Sequence, residues 1–516
     1  MDTIKENFNL RKILKSKIAY VVLAIIAQAL FIVFAIFYFS SHFFLIYLIL
    51  VLASFLTCIH VINRDSDSSS KLLWVLAIMT LPFFGCIIYL FFGNKKIPKE
   101  LQILDRQAEK DYDDYIRANE ITTQENPDDL ILQKMVNMAW NNGKFRVYEG
   151  CNTLYFPSGE AQYNAMIKEL QNAKAFIFIE FFIINKSMMW DTILQILLDK
   201  VEEGVDVRLI YDDFGCIGFY DNDYANWLNS KGIKTHVFNP IKPQLAIQMN
   251  NRDHRKIVVI DGHTAFTGGC NISDEYINTK KRFGYWKDMG MMIQGQAVET
   301  FTISFLQIWN YQEETKTHYE PFILPSEFFQ NFHFSGYVLP FFDSPTDDKY
   351  IGKNMHMNMM QSSVDYLWIS TPYLILDSEM VDSLTLAVDN GADVRIVVPG
   401  IPDKKMVYEV TKQNIDSLVH KGVKVYEYTP GFIHGKVCLS DDSNAMVGTV
   451  NMDFRSYYLH YECGVWMKDT RTISKIKKDF ENIFADSHLV TVEECDNVNS
   501  IIRFSRRCLK IVSPLL

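Results

Sequence analysis

The sequence predicts a mixed α/β protein built as two lobes related by a pseudo-twofold axis, each a β-sheet flanked by helices, behind an N-terminal transmembrane helical region. Three observations predict it. Short β-like apolar runs such as Ala175 to Ile184, Val205 to Tyr211 and Arg255 to Ile260 alternate with helical stretches such as Asp191 to Glu203, the pattern of a layered α/β fold. The order of landmarks then recurs. Gly204-Val205-Asp206-Val207-Arg208 is echoed by Gly391-Ala392-Asp393-Val394-Arg395, and Lys231-Gly232-Ile233-Lys234 by Lys421-Gly422-Val423-Lys424, which implies a duplicated unit. Lastly, three apolar runs without Lys, Arg, Asp or Glu open the chain.

Taken in order, residues 1–17 form a basic tail carrying Lys5, Arg11, Lys12, Lys15 and Lys17. Residues 18–93 are expected to be a transmembrane region with spans at 18–39, 43–62 and 72–92, each close to the roughly 20 residues that cross a bilayer. A signal peptide would be one shorter apolar run ending in a small-residue cleavage site, and none stands out. Basic residues flank both ends, with Lys95, Lys96 and Lys99 after the last run, so both ends ask for the cytoplasmic side. Three full crossings cannot meet that demand. Either one run is re-entrant or interfacial, or one basic cluster is overridden.

Residues 94–135 are rich in charge (Asp105, Arg106, Glu109, Lys110, Asp111, Asp113, Asp114) and read as a charged linker or solvated helix. The first lobe is expected over 136–325 and the second over 326–490. The last segment, 491–516, alternates apolar residues (Ile501, Ile502, Phe504, Leu509, Ile511, Val512) with basic ones (Arg503, Arg506, Arg507, Lys510). Two readings fit it: a helix lying on an anionic lipid surface, or a terminal helix docked on the second lobe.

Composition narrows the function. The 516 residues are 48% apolar and 14% aromatic, ample for a large folded core. A net charge of −10 argues against nucleic acid as the partner, since coating a polyanion needs a basic surface. The nine cysteines are scattered, with no C-x-x-C pair; they read as free thiols and imply no metal, because structural zinc needs clustered ligands.

The chemistry lies in a motif that occurs twice. His254-Arg255-Lys256 is followed by Asp261 and by Gly268-Gly269-Cys270-Asn271; His434-Gly435-Lys436 is followed by Asp441 and by Gly448-Thr449-Val450-Asn451. In both copies Lys lies two residues after His, Asp seven and Asn seventeen. On a strand, His and Lys two apart point to the same face. A pseudo-twofold axis would therefore bring two imidazoles and two ammonium groups to one cleft, with Asn271 and Asn451 as amide donors. Such a set suits a phosphodiester. Lys256, Lys436, Asn271 and Asn451 would bind the phosphoryl oxygens, while one His attacks phosphorus and the other protonates the departing alcohol.

These residues resemble the phospholipase D superfamily, whose signature is a duplicated His-x-Lys-(x4)-Asp with a downstream Asn, over about Val136 to His488. Finer features are similar to bacterial cardiolipin synthases: Asn251-Arg252-Asp253 before His254, Ile272-Ser273-Asp274-Glu275-Tyr276 after Asn271, Met452-Asp453-Phe454-Arg455-Ser456 after Asn451, and the closing Ser513-Pro514-Leu515-Leu516. The resemblance implies a membrane-bound transferase of a bacterial cell that joins two phosphatidylglycerol molecules through a covalent phosphohistidine, needing neither metal nor cofactor. It assigns His254 as nucleophile and His434 as general acid, then base; the reverse assignment stays open. It also implies an acidic residue downstream of each motif His that orients that imidazole, matched here by Asp288 and Glu462. Asp261 and Asp441 complete the catalytic motif by resemblance, although a strand-end hydrogen-bonding role is favoured for both.

Several residues stand beside this core reading. Glu180, inside the apolar Phe178-Ile179-Glu180-Phe181-Phe182, needs a partner if buried. His236, His263 and His460 fall outside the motifs and are taken as ordinary polar residues. Alternatives to transfer are hydrolysis to phosphatidic acid, a nuclease, or a silent membrane scaffold; intact motifs speak against the last. Self-association is left open.

Overall fold

The computed structural model describes residues 17–38, 43–64, 68–93, 97–122, 129–219, 223–240 and 250–513. Lys5, Arg11, Lys12, Lys15, Lys95, Lys96 and the closing Pro514-Leu515-Leu516 lie outside the described residues. The chain forms two compact units, 1–96 and 97–516.

In the first unit the apolar runs are helical, but not as three spans. Helices cover Lys17–Tyr38 and Phe43–Asn63. The third run breaks at Pro82 into Ser68–Thr80 and Pro82–Ile88, followed by a π-helical turn Tyr89–Gly93. Proline lacks an N–H and clashes with the preceding turn, and at 1.5 Å per residue the resulting pieces are about 20 and 10 Å long, short of a roughly 30 Å bilayer core. The expected span at 72–92 is thereby corrected. Among the described residues one helix, Phe44–Asn63, is long and apolar enough to cross a membrane. The broken run packs on it, with the Ser54 hydroxyl donating to the Pro82 carbonyl at 2.7 Å and Arg64 donating to the Gly93 carbonyl at 3.2 Å.

The second unit holds two sheets of matching order. The first runs Asn152–Phe156, Gly290–Gln294, Thr264–Gly268, Lys256–Ile260, Phe176–Phe181, Asp206–Asp212, Lys234–Phe238. The second repeats it as Phe334–Asp343, His460–Lys468, Asn444–Gly448, Lys436–Ser440, Tyr366–Ser370, Asp393–Pro399, Lys424–Tyr428, with Tyr148–Gly150 and Ser487–Leu489 added at the edges. In each sheet the motif strand sits centrally, antiparallel to one neighbour from before the motif and one from after it. Both lobes contribute to one apolar cluster, in which Phe178, Val259 and Met291 join Val437, Val447 and Val465.

The echoed landmarks now have a physical reason. Asp206 pairs with Arg208 at 2.9 Å and Lys234 at 2.8 Å; Asp393 pairs with Arg395 at 2.6 Å and Lys424 at 2.8 Å. Each landmark pair is thus one ion cluster tying two parallel strands. Gly204 and Gly391 turn the chain into those strands at φ of 88° and 101°, a conformation that glycine adopts without steric cost.

Two boundaries move. The stretch expected as a linker contains the helix Lys99–Ala118, whose Leu101, Asp105, Tyr115 and Ile116 are buried. Asp105 accepts hydrogen bonds from Tyr461 at 2.6 Å and Ser344 at 3.0 Å, so the helix turns its charges both to solvent and onto the body. The helix Leu130–Gly143 adds Leu132, Met135, Val136 and Ala139 to the outer core of the second lobe, and Tyr148–Gly150 pairs in the second sheet. The first lobe's sheet begins at Asn152, not near 136.

Candidate active site

Each motif histidine is held at a crossing between lobes. The short strand Arg252–Asp253, just before His254, pairs with His460–Tyr461 of the second lobe, and the His254 N–H donates to the Tyr461 carbonyl at 2.9 Å. In the mirror arrangement Gly431–Ile433, just before His434, pairs with Tyr285–Lys287 of the first lobe, and the His434 N–H donates to the Lys287 carbonyl at 2.7 Å. Both imidazoles face a single cavity of about 610 Å³, whose lining also includes Asn271 and Asn451. The pseudo-twofold axis therefore builds one site from two half-sites.

The orienting carboxylates cross over. His254 Nδ1 lies 2.9 Å from both Glu462 oxygens, and His434 Nδ1 lies 2.8 Å from Asp288 Oδ2. The expectation that each carboxylate serves the histidine upstream in its own copy is corrected: each serves the histidine of the other lobe, because the strand that follows one motif runs beside the approach strand of the other. Nδ1–H···carboxylate bonding leaves Nε2 of each ring with its lone pair. Glu462 is fixed further by the Thr449 and Ser456 hydroxyls, which donate at 2.5 and 2.6 Å. Asp288 Oδ1 accepts the Met289 N–H at 2.9 Å, and Gly269 lies against it so tightly that a Cβ there would sit 2.1 Å from that oxygen.

Lys256 and Lys436 are buried, 1% and 4% exposed. Each Nζ donates to the carbonyl of its own motif histidine at 2.5 Å. Burial pushes Lys256 down to about 8 and Lys436 to about 7, against the pull of Glu462 and Asp288. Burial and the charges of both lysines hold His254 well below the ordinary imidazole range. His434 is pushed down to about 4 by burial and Lys436, with Asp288 opposing. Burial works against ionisation of Asp288, yet the charges of His434 and Lys436 keep its carboxyl below the usual range. The Lys256 charge contributes to the lowering of Lys436, so the two ammonium groups repel one another, and a bound phosphodiester would relieve that repulsion.

The motif aspartates are elsewhere. Asp261 accepts the N–H groups of Lys174, Ala175 and Phe176 at 2.8, 2.7 and 2.9 Å, and Asp441 those of Val364, Asp365 and Tyr366 at 2.8, 2.9 and 2.9 Å. Both sit at the far end of the motif strand from His and Lys and tie down the start of the adjacent strand; the cavity does not include them. Asn271 is buried, accepting from the Ile183 N–H at 3.1 Å and donating to the Tyr276 hydroxyl at 2.8 Å. The side-chain oxygen of Asn451 is buried without a partner. Glu180 pairs with Arg255, the variable residue of the first motif, which also bonds Asp253 at 3.0 Å and Ser304 at 2.9 Å. Its role is structural.

His460, read as an ordinary polar residue, lines the cavity. Its ring centre is 5.5 Å from that of His254, and burial pushes it down to about 4. The legible signal was its place two residues before Glu462, on the same face of a strand. His254, His460 and Glu462 offer three ligand atoms within 4.8 Å of one another. However, Glu462 already accepts from His254, Thr449 and Ser456, and Lys256 and Lys436 add positive charge, so the donor set fits an anion better than a cation. Arg455 and Lys404 line the same cavity, together with Arg252, Arg282 and the carboxylates Glu275, Asp403 and Asp453, a charged rim that the motifs alone did not reveal.

Comparisons with known proteins give the family. Residues 166–309 and 357–484 match the family described as cardiolipin synthase, PLD-like domain. The chain belongs to the cardiolipin synthase family. Residues 52–94 match the phospholipase D-nuclease N-terminal family. The chain is 32% identical over 461 residues to cardiolipin synthase 2 of Bacillus anthracis, covering 88% of each. It is 33% identical over 461 residues to cardiolipin synthase 2 of Staphylococcus epidermidis, covering 86% of this chain and 92% of that one. In fold it is similar to a phosphatidylserine synthase of Haemophilus influenzae, with a TM-score of 0.57 at 15% identity, covering 74% of this chain and all of that one. Family membership makes the chain a phosphatidyl transferase of the phospholipase D superfamily, and the two sheets of matching order are its two phospholipase D-like lobes.

Proposed function

We propose that this chain transfers a phosphatidyl group from one phosphatidylglycerol to a hydroxyl of a second, giving cardiolipin and glycerol through a phosphohistidine. The observation that carries the reading is the pair of carboxylate-oriented imidazoles facing one cavity, with Lys256 and Lys436 bonded to the carbonyls of the two histidines. In the first step His434 enters as the imidazolium, protonated on Nε2 once the phosphodiester anion is bound and backed by Asp288; His254 Nε2 attacks phosphorus and the P–O bond to the headgroup glycerol breaks as His434 gives that oxygen its Nε2 proton. In the second, His434 takes the proton of the incoming hydroxyl, whose oxygen attacks phosphorus as the P–N bond breaks. Bond types are conserved overall, so no nucleotide is consumed.

The surroundings of the two rings are consistent with this division of labour. Burial and the charges of Lys256 and Lys436 hold His254 toward its neutral form, as an attacking lone pair requires. His434 keeps the support of Asp288 for its protonated form. Lys256, Lys436, Asn271 and Asn451 neutralise the phosphoryl oxygens, and Asp288 and Glu462 stabilise imidazolium as it forms. Asp261 and Asp441 act through the scaffold.

Attachment to a bacterial cell membrane belongs to the same proposal: the helix Phe44–Asn63 crosses, the run broken at Pro82 is re-entrant, and a second crossing by the apolar run at 18–39, proposed from its sequence, would leave both basic flanks on one side. Membranes that express the chain, given phosphatidylglycerol labelled in the headgroup glycerol, should release labelled glycerol and form cardiolipin in equal amounts. Phosphatidic acid as the main product would replace transfer by hydrolysis.

A further inference from the structure

The helix Ser500–Ile511 is docked the wrong way round for water. Toward the body, Arg503 donates to the carbonyls of Cys495 and Asp496 at 3.0 and 2.8 Å, Arg506 donates to Glu409 at 2.7 Å, and Leu509 packs on the cluster of Ile375, Val410 and Phe454. Outward, Ile501 is 78%, Phe504 69% and Ile511 42% exposed, with Cys508 exposed among them. Positions 501, 504, 508 and 511 share one helix face. A helix that uses its guanidinium groups for docking and leaves its largest apolar side chains outside is suited to an apolar cover.

We infer that this outward face is an interfacial anchor that lies in the surface of an anionic phospholipid bilayer. Charge complementarity favours that occupant. With Arg503 and Arg506 engaged on the body, the helix still carries Arg507 and Lys510 and has no acidic residue, in a chain of net charge −10. Arg507 is exposed beside the apolar stripe, where it can reach headgroup phosphates while Phe504 enters the acyl boundary. A second copy set face to face would bring like charges together. Location points the same way: Leu509 packs beside Ile375 and Val407, which also line the catalytic cavity, so the anchor would hold the cleft's mouth at the lipid surface.

The test uses the full-length chain in bilayer discs, with an environment-sensitive fluorophore on Cys508, the one cysteine of nine that is exposed; a Cys508→Ser sample sets the background. In phosphatidylglycerol-rich discs, lipids carrying a nitroxide on the acyl chain should quench the probe, and aqueous iodide should not. Arg507→Glu should weaken that docking by at least roughly fivefold, the factor for one basic side chain at an anionic surface, and Phe504→Asp should abolish it. Turnover in detergent micelles should stay unchanged in both, since neither residue touches the cleft. Full iodide access with no lipid quenching would overturn the inference. So would self-quenching without lipid quenching, which would assign the face to a second copy. The readout is bilayer contact, so its failure leaves the proposed reaction standing, and a failure of transfer leaves the anchor standing.

Discussion

Crossed carboxylates make Asp288 and Glu462 separable by kinetics. Glu462→Gln keeps the shape of the side chain that contacts His254 Nδ1 and removes its charge; Asp288→Asn does the same at His434. With charge centres about 4 Å apart and an effective dielectric near 20, each carboxylate favours its imidazolium by about 4 kcal/mol, or roughly 10³ in rate if the whole interaction is felt in the transition state. That agrees with the 10² to 10⁴ typical of an acid–base group. The assay is phosphatidyl transfer by the purified chain from two donors, phosphatidylglycerol and a phosphatidyl ester of p-nitrophenol. Nitrophenolate departs without a proton, so formation of the adduct no longer needs an acid. Asp288→Asn should then recover most of the first-step rate, read as the burst of nitrophenolate, while Glu462→Gln should remain slow because His254 still attacks. Recovery in Glu462→Gln and not in Asp288→Asn, or equal losses with both donors, would refute the crossed pairing combined with these roles.

Other outcomes follow from the same geometry. Asp261→Asn and Asp441→Asn should each lower stability by on the order of 2 kcal/mol, the scale of charged hydrogen bonds, and leave turnover per folded molecule near normal; a hundredfold rate loss with an unchanged melting temperature would return these residues to the chemistry. Gly269→Ala should match Asp288→Asn in rate, because its Cβ would sit 2.1 Å from Asp288 Oδ1; normal turnover would mean that Asp288 is not needed where it lies. The buried histidines should make the fold acid-sensitive. His356 and His434 stand at about 4 folded against 6.5 for an ordinary imidazole, so the unfolded chain binds more protons between those limits, and stability present above about 6.5 is lost as pH falls toward 4, by up to roughly 3 kcal/mol per imidazole. Denaturant midpoints measured from pH 7 to 4.5 should fall, and less steeply in His356→Gln; a flat profile would contradict the burial of neutral rings.

How much of this was legible in the sequence depends on distance along the chain. The twin motifs and echoed landmarks are local and periodic, and they specify the lobes, the strand faces of His and Lys, and the strand-end role of Asp261 and Asp441. Pairing between lobes is not local. Nothing in the spacing from His254 to Asp288 reveals that Glu462, 208 residues away, is the nearer partner. His460 escaped for the same reason: a histidine beside Glu462 gains meaning only when His254 arrives from the other lobe. The charged stretch after Asn94 looked like a linker because its composition averages over a helix, while Asp105 is buried by hydroxyl donors drawn from distant segments. The third apolar run has the composition of a span, and Pro82 was visible in it; composition alone does not weigh a missing N–H against the packing that the break allows.

The account rests most directly on one covalent bond. The full-length chain, mixed with phosphatidylglycerol labelled in its phosphate and quenched in denaturant at mildly alkaline pH within a turnover, should carry label on a single peptide that contains His254. The label should be missing in His254→Ala and should leave as cardiolipin when the unquenched sample is chased with unlabelled lipid. Label on the His434 peptide, or steady cardiolipin formation with no adduct on either histidine, would contradict it.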